Sequence, residues 1–238
     1  MIALHLNLIQ QGGKSPLEFR VKRLVNAGYV GRNIAAVKAH IDELSHEGVP
    51  PPPAIPMVFP VLSHNITTGP HIEVIGSKTS GETEYVLLVD GKNIYVGIGS
   101  DHTDRALEAQ SITKSKQICQ NVLSKDIWNL KEVESHWDTL QMRCWVKPSK
   151  DAEAVLYQDA PLAKIISATD LLKLIRNRLK DSETDGMVIF SGTVPFLAPK
   201  MIYGCHYRCE LADTKLKRNL ALEYEVHQLE YVKEMETL

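Results

Sequence analysis

The sequence predicts an α+β protein, and three observations carry that expectation. Period-two alternation opens the chain, helical periodicity is confined to a few short stretches, and Asp90-Gly91 divides two β-rich runs as a hairpin turn would. With 238 residues, of which 44% are hydrophobic and 24% charged, the chain has material for one sizeable core.

The first strand is read at Ile2 to Leu8, where Ile2, Leu4, Leu6 and Leu8 share one face and Ala3, His5 and Asn7 the other. A second, Leu17 to Val25, follows the Gly12-Gly13 turn. Between Asn33 and Glu47 the period lengthens: Ile34, Val37, Ile41 and Leu44 recur at helical spacing, and Gly48 ends the segment. Pro50 to Pro53, with Pro56 beyond, lack amide hydrogens and fix φ, so they predict an extended connector. Further strands are expected at Ile72 to Ile75, Glu82 to Val89, Asn93 to Ile98, Met187 to Phe190, Tyr207 to Leu211 and Leu220 to Tyr231. Helices are expected at Thr103 to Lys116 and Asp170 to Lys180.

Charge and composition exclude several classes. The 27 Lys and Arg against 29 Asp and Glu give a net charge of -2, so no whole-chain field points to nucleic acid or anionic lipid. No apolar run approaches the roughly 20 residues of a membrane-spanning helix, and a cytoplasmic protein is expected. Cys119, Cys144, Cys205 and Cys209 are too few and too scattered for a disulfide framework. Cys205 and Cys209 flank His206, but zinc wants a second ligand pair, and buried thiols are the expected reading. Gly97-Ile-Gly99 lacks the third glycine of a dinucleotide fingerprint, and neither a Gly-x-Ser-x-Gly elbow nor a phosphate-binding loop is present.

The hairpin carries the chemistry. A two-residue loop at Asp90-Gly91 pairs residue 89 with 92, and one at Gly91-Lys92 pairs 90 with 93. In both registers, even positions of the first strand face odd positions of the second. Opposed residues project from one face, so Glu82, Glu84 and Asp101 point together, with Gly97 and Gly99 leaving space before them. Three carboxylates at close range repel unless a cation joins them, and all-oxygen ligation favours Mg²⁺, Mn²⁺ or Ca²⁺. The competing reading makes Glu82 and Glu84 a solvated strand face and Asp101 the cap of a helix starting near His102.

Several motifs resemble the fumarylacetoacetate hydrolase superfamily. They are Glu82-Thr-Glu84, then Asp101-His-Thr-Asp-Arg105, then Lys116, then Gly192-Thr193-Val-Pro195. Upstream, Gly31-Arg-Asn33 and the His40-Ile-Asp-Glu43 pair are similar to segments of the small acylpyruvase-like members, although His40 follows Asn33 at a longer spacing. The chain resembles a branch of that superfamily still carried under an unknown-function domain name. The resemblance implies a mixed β-roll, with residues 1–27 as N-terminal strands and 28–238 as the catalytic domain, in a homodimer.

The same resemblance implies roles. Glu82, Glu84 and Asp101 would bind Mg²⁺ or Mn²⁺, and Lys116 would meet a substrate carboxylate or the charge of an enolate. Arg105 would sit at the substrate site, or simply pair with Asp101 four residues earlier. His40, oriented by Glu43, would be the base that activates water, against the plainer reading of a helix-surface ion pair. Gly192 and Thr193 would bind substrate, Thr193 through its hydroxyl and amide, unless it is an ordinary turn residue. The implied activity is hydrolysis of a C–C bond in a small acylpyruvate-like or 1,3-dicarbonyl acid. Decarboxylation of an oxaloacetate-like acid, or non-catalytic binding of a small keto acid, are the alternatives.

Overall fold

The computed structural model describes residues 2–46, 51–198 and 200–233, and of residues 40 and 43–46 the backbone only. The chain begins with β1 (Ile2–Gln10), β2 (Gly13–Val21), β3 (Arg23–Gly28) and helix α1 (Ile34–His46). Next come β4 (Met57–Val61), β5 (Ile66–Thr67), β6 (His71–Val74), and the long hairpin β7 (Thr79–Asp90) and β8 (Asn93–Asp104). Two short helices, α2 (Arg105–Glu108) and α3 (Ile112–Ile118), lead to β9 (Asn121–Leu123), β10 (Asp126–Asn129) and α4 (Leu130–Val133). The remainder is β11 (Gln141–Lys147), β12 (Val155–Pro161), α5 (Ala168–Arg178), β13 (Met187–Phe190), β14 (His206–Asp213) and β15 (Arg218–Gln228).

The strands form two sheets. The larger runs β2-β1-β10-β8-β7-β13-β3-β4, with β9 joined to β8 and β5 to β9, and the smaller runs β12-β11-β14-β15-β6. Parallel pairs (β1 with β10, β13 with β3, β5 with β9, β15 with β6) stand among antiparallel ones, so both sheets are mixed.

One face of β7 and β8, carrying Tyr85, Leu87, Val96 and Ile98, packs on Met142, Cys144, Tyr207 and Leu222 of the smaller sheet. On the other face, Val86, Leu88, Tyr95 and Phe190 share a second core with Leu4, Leu6 and Phe19 near one edge and Val61 at the other. A flat sheet cannot bring both edges to one cluster with its centre, so the larger sheet is rolled around this core. Each fully buried Leu or Phe contributes roughly 1.5–3 kcal/mol, which makes the closed roll the favourable arrangement.

Two expected elements are corrected. The segment Leu17 to Val25 is two strands, because at Lys22 the chain exchanges partners: Val21 pairs with Ile2, while Arg23 pairs with Met187. Hydrophobic pattern is blind to such a corner. The helix expected over Thr103 to Lys116 is instead the end of β8, where Asp104 still pairs with Thr79, followed by two short helices. Ser111 breaks the run by capping α3, its side chain accepting from the Lys114 amide. The stripe expected to bury α1 is only partly sheltered, with Ile41 buried and Ile34 49% exposed. Among the described residues no helix is long and apolar enough to cross a membrane.

Candidate metal centre

Asp90 pairs with Asn93, so the hairpin turns at Gly91-Lys92, with φ +58° at Gly91. The register then runs unbroken to Thr79 opposite Asp104, placing Glu82 across from Asp101 and Glu84 across from Gly99. All three carboxylates emerge at the end of the rolled core, on the face that carries Val86 and Leu88. One ligand oxygen from each lies within 4.8 Å of the others. A hard cation at about 2.0–2.6 Å from each oxygen fits that spread. Glu84 and Asp101 are fully buried, while the Glu82 side chain is 16% exposed and marks the open side. Among the described residues this is the one grouping of His, Cys, Asp and Glu compact enough to hold a metal ion.

The space expected before the carboxylates at Gly97 and Gly99 is filled instead. A Cβ on Gly99 would meet Phe190 at 2.5 Å and Val86 at 2.6 Å, and one on Gly97 would meet Leu123 at 2.8 Å. These apolar side chains pack against the two glycines and take up the space that they would otherwise leave.

Burial pushes both glutamates up. Desolvation, reinforced by Asp101, raises Glu84 well above the usual carboxylate range; desolvation also raises Glu82, against the opposing pull of Arg105 and Lys116. The Glu84 Oε2 accepts the Gly192 amide at 2.8 Å, which fixes its direction. Lys116, on α3, pairs with Asp101 Oδ2 deep in the cluster. Burial alone would lower the Lys116 pKa, but Asp101 and Glu82 outweigh it and hold the ammonium charged.

Arg105 does not take Asp101 as its partner. Its Nη1 lies 2.8 Å from Glu108, its Nη2 3.3 Å from Glu82, and its Nε donates to Ser80 Oγ at 2.8 Å. The capping reading of Asp101 is likewise corrected, since Asp104 is the residue whose side chain accepts from the α2 amide of Leu107. Four carboxylates (Glu82, Glu84, Asp101, Glu108) thus face two cations. When all are ionised, the excess is two negative charges, which one divalent ion would balance.

Gly192 and Thr193 reach the centre from the segment after β13, but both are engaged. The Gly192 amide is spent on Glu84, and Thr193 Oγ1 donates to the Thr83 carbonyl at 2.6 Å while accepting from Gln158 Nε2 at 2.7 Å. Gln158 also donates to the Val194 carbonyl and accepts from the Thr83 amide, tying this turn to β7. His40 and Glu43 lie on α1, and their side chains fall outside the described residues. At Cys205 to Cys209 the buried-thiol reading is met at Cys209, which lies 3.9 Å from Cys144 Sγ, but not at Cys205, which is only half-buried; His206 pairs with Glu223.

Sequence reasoning missed Glu108, Ser80, Gln158, Asn26 and Asn121, all set around the same end of the roll. A polar residue at an inward strand position was the available signal for Asn26, Asn121 and Gln158, each of which is fully buried.

Residues 27–224 match the model of a family described as protein of unknown function, DUF2848. No curated protein matches the chain in sequence. Among solved structures, the chain is similar to 2-keto-3-deoxy-D-arabinonate dehydratase complexed with magnesium and 2,5-dioxopentanoate, at 17% identity and a TM-score of 0.63, covering 92% of this chain and 78% of that one. It is similar to fumarylacetoacetate hydrolase from the psychrophile Exiguobacterium antarcticum, at 13% identity and a TM-score of 0.62 over 90% and 79% of the two chains. A third likeness is to 4-oxalocrotonate decarboxylase from Pseudomonas putida G7 with calcium and acetate, at 14% identity and a TM-score of 0.54 over 86% and 76%.

Proposed function

The chain belongs to the DUF2848 family and has the fumarylacetoacetate hydrolase fold, and we propose that it is a metal-dependent enzyme cleaving a C–C bond in a small acylpyruvate-like or 1,3-dicarbonyl acid. The observation that carries this reading is the convergence of Glu82, Glu84 and Asp101 within 4.8 Å in a buried site. Similar structures are named as a dehydratase, a hydrolase and a decarboxylase, two of them complexed with magnesium or calcium. Glu82, Glu84 and Asp101 would hold Mg²⁺ or Mn²⁺, which supplies Lewis-acid polarisation of a 2-oxo group.

The chain's own residues supply the rest. Lys116, kept charged by Asp101, faces negative charge as it develops on the substrate oxygen. Arg105 holds Glu82 in place through its Nη2. Gly192 and Thr193 form the wall of the substrate pocket, with Gln158 fixing their turn. His40, oriented by Glu43, takes a proton from water; the hydroxide adds to the distal carbonyl, the C–C bond breaks, and the departing carbon is protonated to give pyruvate and a carboxylic acid. Where His40 does not activate water, the same centre suits decarboxylation of an oxaloacetate-like acid. We place the protein in the cytoplasm as a homodimer.

The test is turnover of acylpyruvates, oxaloacetate and 2-oxo-3-deoxy sugar acids with added Mn²⁺. Pyruvate release from an acylpyruvate is expected. Release from oxaloacetate alone selects the decarboxylase, and no turnover of any acid by protein that binds Mn²⁺ leaves a binding protein.

A further inference from the structure

Asn121 stands directly across from Asp101 in the β8–β9 register, so the two side chains leave the same face of the sheet. Its Nδ2 donates to Asn26 Oδ1 at 2.9 Å, across the interior of the roll. Asn26 lies opposite Phe59 on β4, and Lys116 Nζ is 5.8 Å from the centre of that ring. The amide pair therefore sits on the Lys116 side of the carboxylates. Both residues are fully buried, yet among the described residues Asn26 Nδ2 and Asn121 Oδ1 have no hydrogen-bond partner.

Interchanging nitrogen and oxygen in both amides still leaves one amide nitrogen and one carbonyl oxygen unmet, with the open oxygen then on Asn26; the observed orientation puts it on Asn121. An unmade buried hydrogen bond is costly, and apolar residues of similar shape would avoid it. Gln158, equally buried on the neighbouring wall, shows the contrast: its oxygen and nitrogen are both bonded within the protein.

We propose that Asn121, held in place by Asn26, is a positioning residue for the metal centre: its open oxygen accepts a hydrogen bond from a water in the coordination sphere of the cation at Glu82, Glu84 and Asp101. This rests on the reading of those three carboxylates as metal ligands. Asn121 orients a proton-bearing ligand and makes no side-chain hydrogen bond to a carboxylate among the described residues, and Asn26 acts through Asn121.

The experiment is titration of the full chain with Mn²⁺, followed by electron paramagnetic resonance and by water-proton relaxation of the bound ion. Wild type and Glu84→Gln are measured first, since absence of binding in wild type overturns the metal reading itself, independently of any role for Asn121. Asn121→Ala is expected to weaken Mn²⁺ binding about 10- to 100-fold, the usual loss for groups that support metal ligands, and to change the relaxation of bound water. Asn26→Ala is expected to act in the same direction. The paired Asn26→Leu/Asn121→Leu variant buries no lone polar group and separates the two roles. Weakened Mn²⁺ binding by a folded double variant supports the proposal. A folded double variant that binds Mn²⁺ like wild type, or loss of folding in all three variants, assigns the pair to structure and overturns it.

Discussion

Lys116 and Asp101 form an ion pair whose side chains are 7% and 0% exposed, so neither charge has solvent to fall back on. Removing one partner of such a pair strands the other. Lys116→Met should lower the stability of the metal-free protein by about 3–5 kcal/mol. Added Mn²⁺ replaces the missing positive charge, so the variant should gain more in Tm from Mn²⁺ than wild type does. Thermal unfolding with and without the ion checks this, and equal gains in the two proteins would contradict it.

The direction of Glu84 depends on Gly192. That residue has φ +82°, and a Cβ there would approach Val30 Cγ2 at 2.6 Å and the Ala27 carbonyl at 3.0 Å. Gly192→Ala should cost about 1–3 kcal/mol and weaken Mn²⁺ binding, because the amide that holds Glu84 must move. Gly12→Ala, at a turn where nothing lies within 4 Å of the new carbon, is the control and should leave both unchanged.

His102, on the face of β8 turned away from the carboxylates, is held between Tyr224 at 3.0 Å and Thr79 at 2.9 Å. Burial, with a lesser push from Arg105, lowers its pKa to about 3. The unfolded chain takes up this proton near pH 6.5 and the folded one does not, so stability falls as pH drops below that value and the loss is complete only below pH 3. Between pH 7 and pH 5 the His102 contribution is a loss of about 2 kcal/mol. Urea midpoints at the two pH values, compared with those of His102→Asn, isolate it; the same pH dependence in both proteins would remove His102 as the cause. Glu84, raised by burial, titrates with the opposite sign in both and cancels in the comparison.

The parts of the fold that were legible arise from local chemistry. Alternation at Leu4 and Leu6 located β1, and parity about the Asp90-Gly91 turn put Glu82, Glu84 and Asp101 on one face, while only the observed turn at Gly91-Lys92 sets Glu82 opposite Asp101. The corner at Lys22 was not legible, because the chain changes partners there without changing its pattern. β11 carried a readable alternation in Met142, Cys144 and Val146, blurred by Trp145 on the outward face, where it packs beneath Arg208. The partner of Arg105 was also beyond reach: helical spacing offers Asp101 or Glu108, and only the extension of β8 to Asp104 decides for Glu108. Asn26 and Asn121 are 95 positions apart and meet only once the roll closes.

Titration of the purified chain with Mn²⁺ under electron paramagnetic resonance, beside Glu84→Gln and Asp101→Ala, tests the metal centre most directly. One ion is expected to bind per wild-type chain, with loss of that binding in both variants while their folds persist. Wild-type protein that binds no Mn²⁺, or variants that bind it as wild type does, would contradict it.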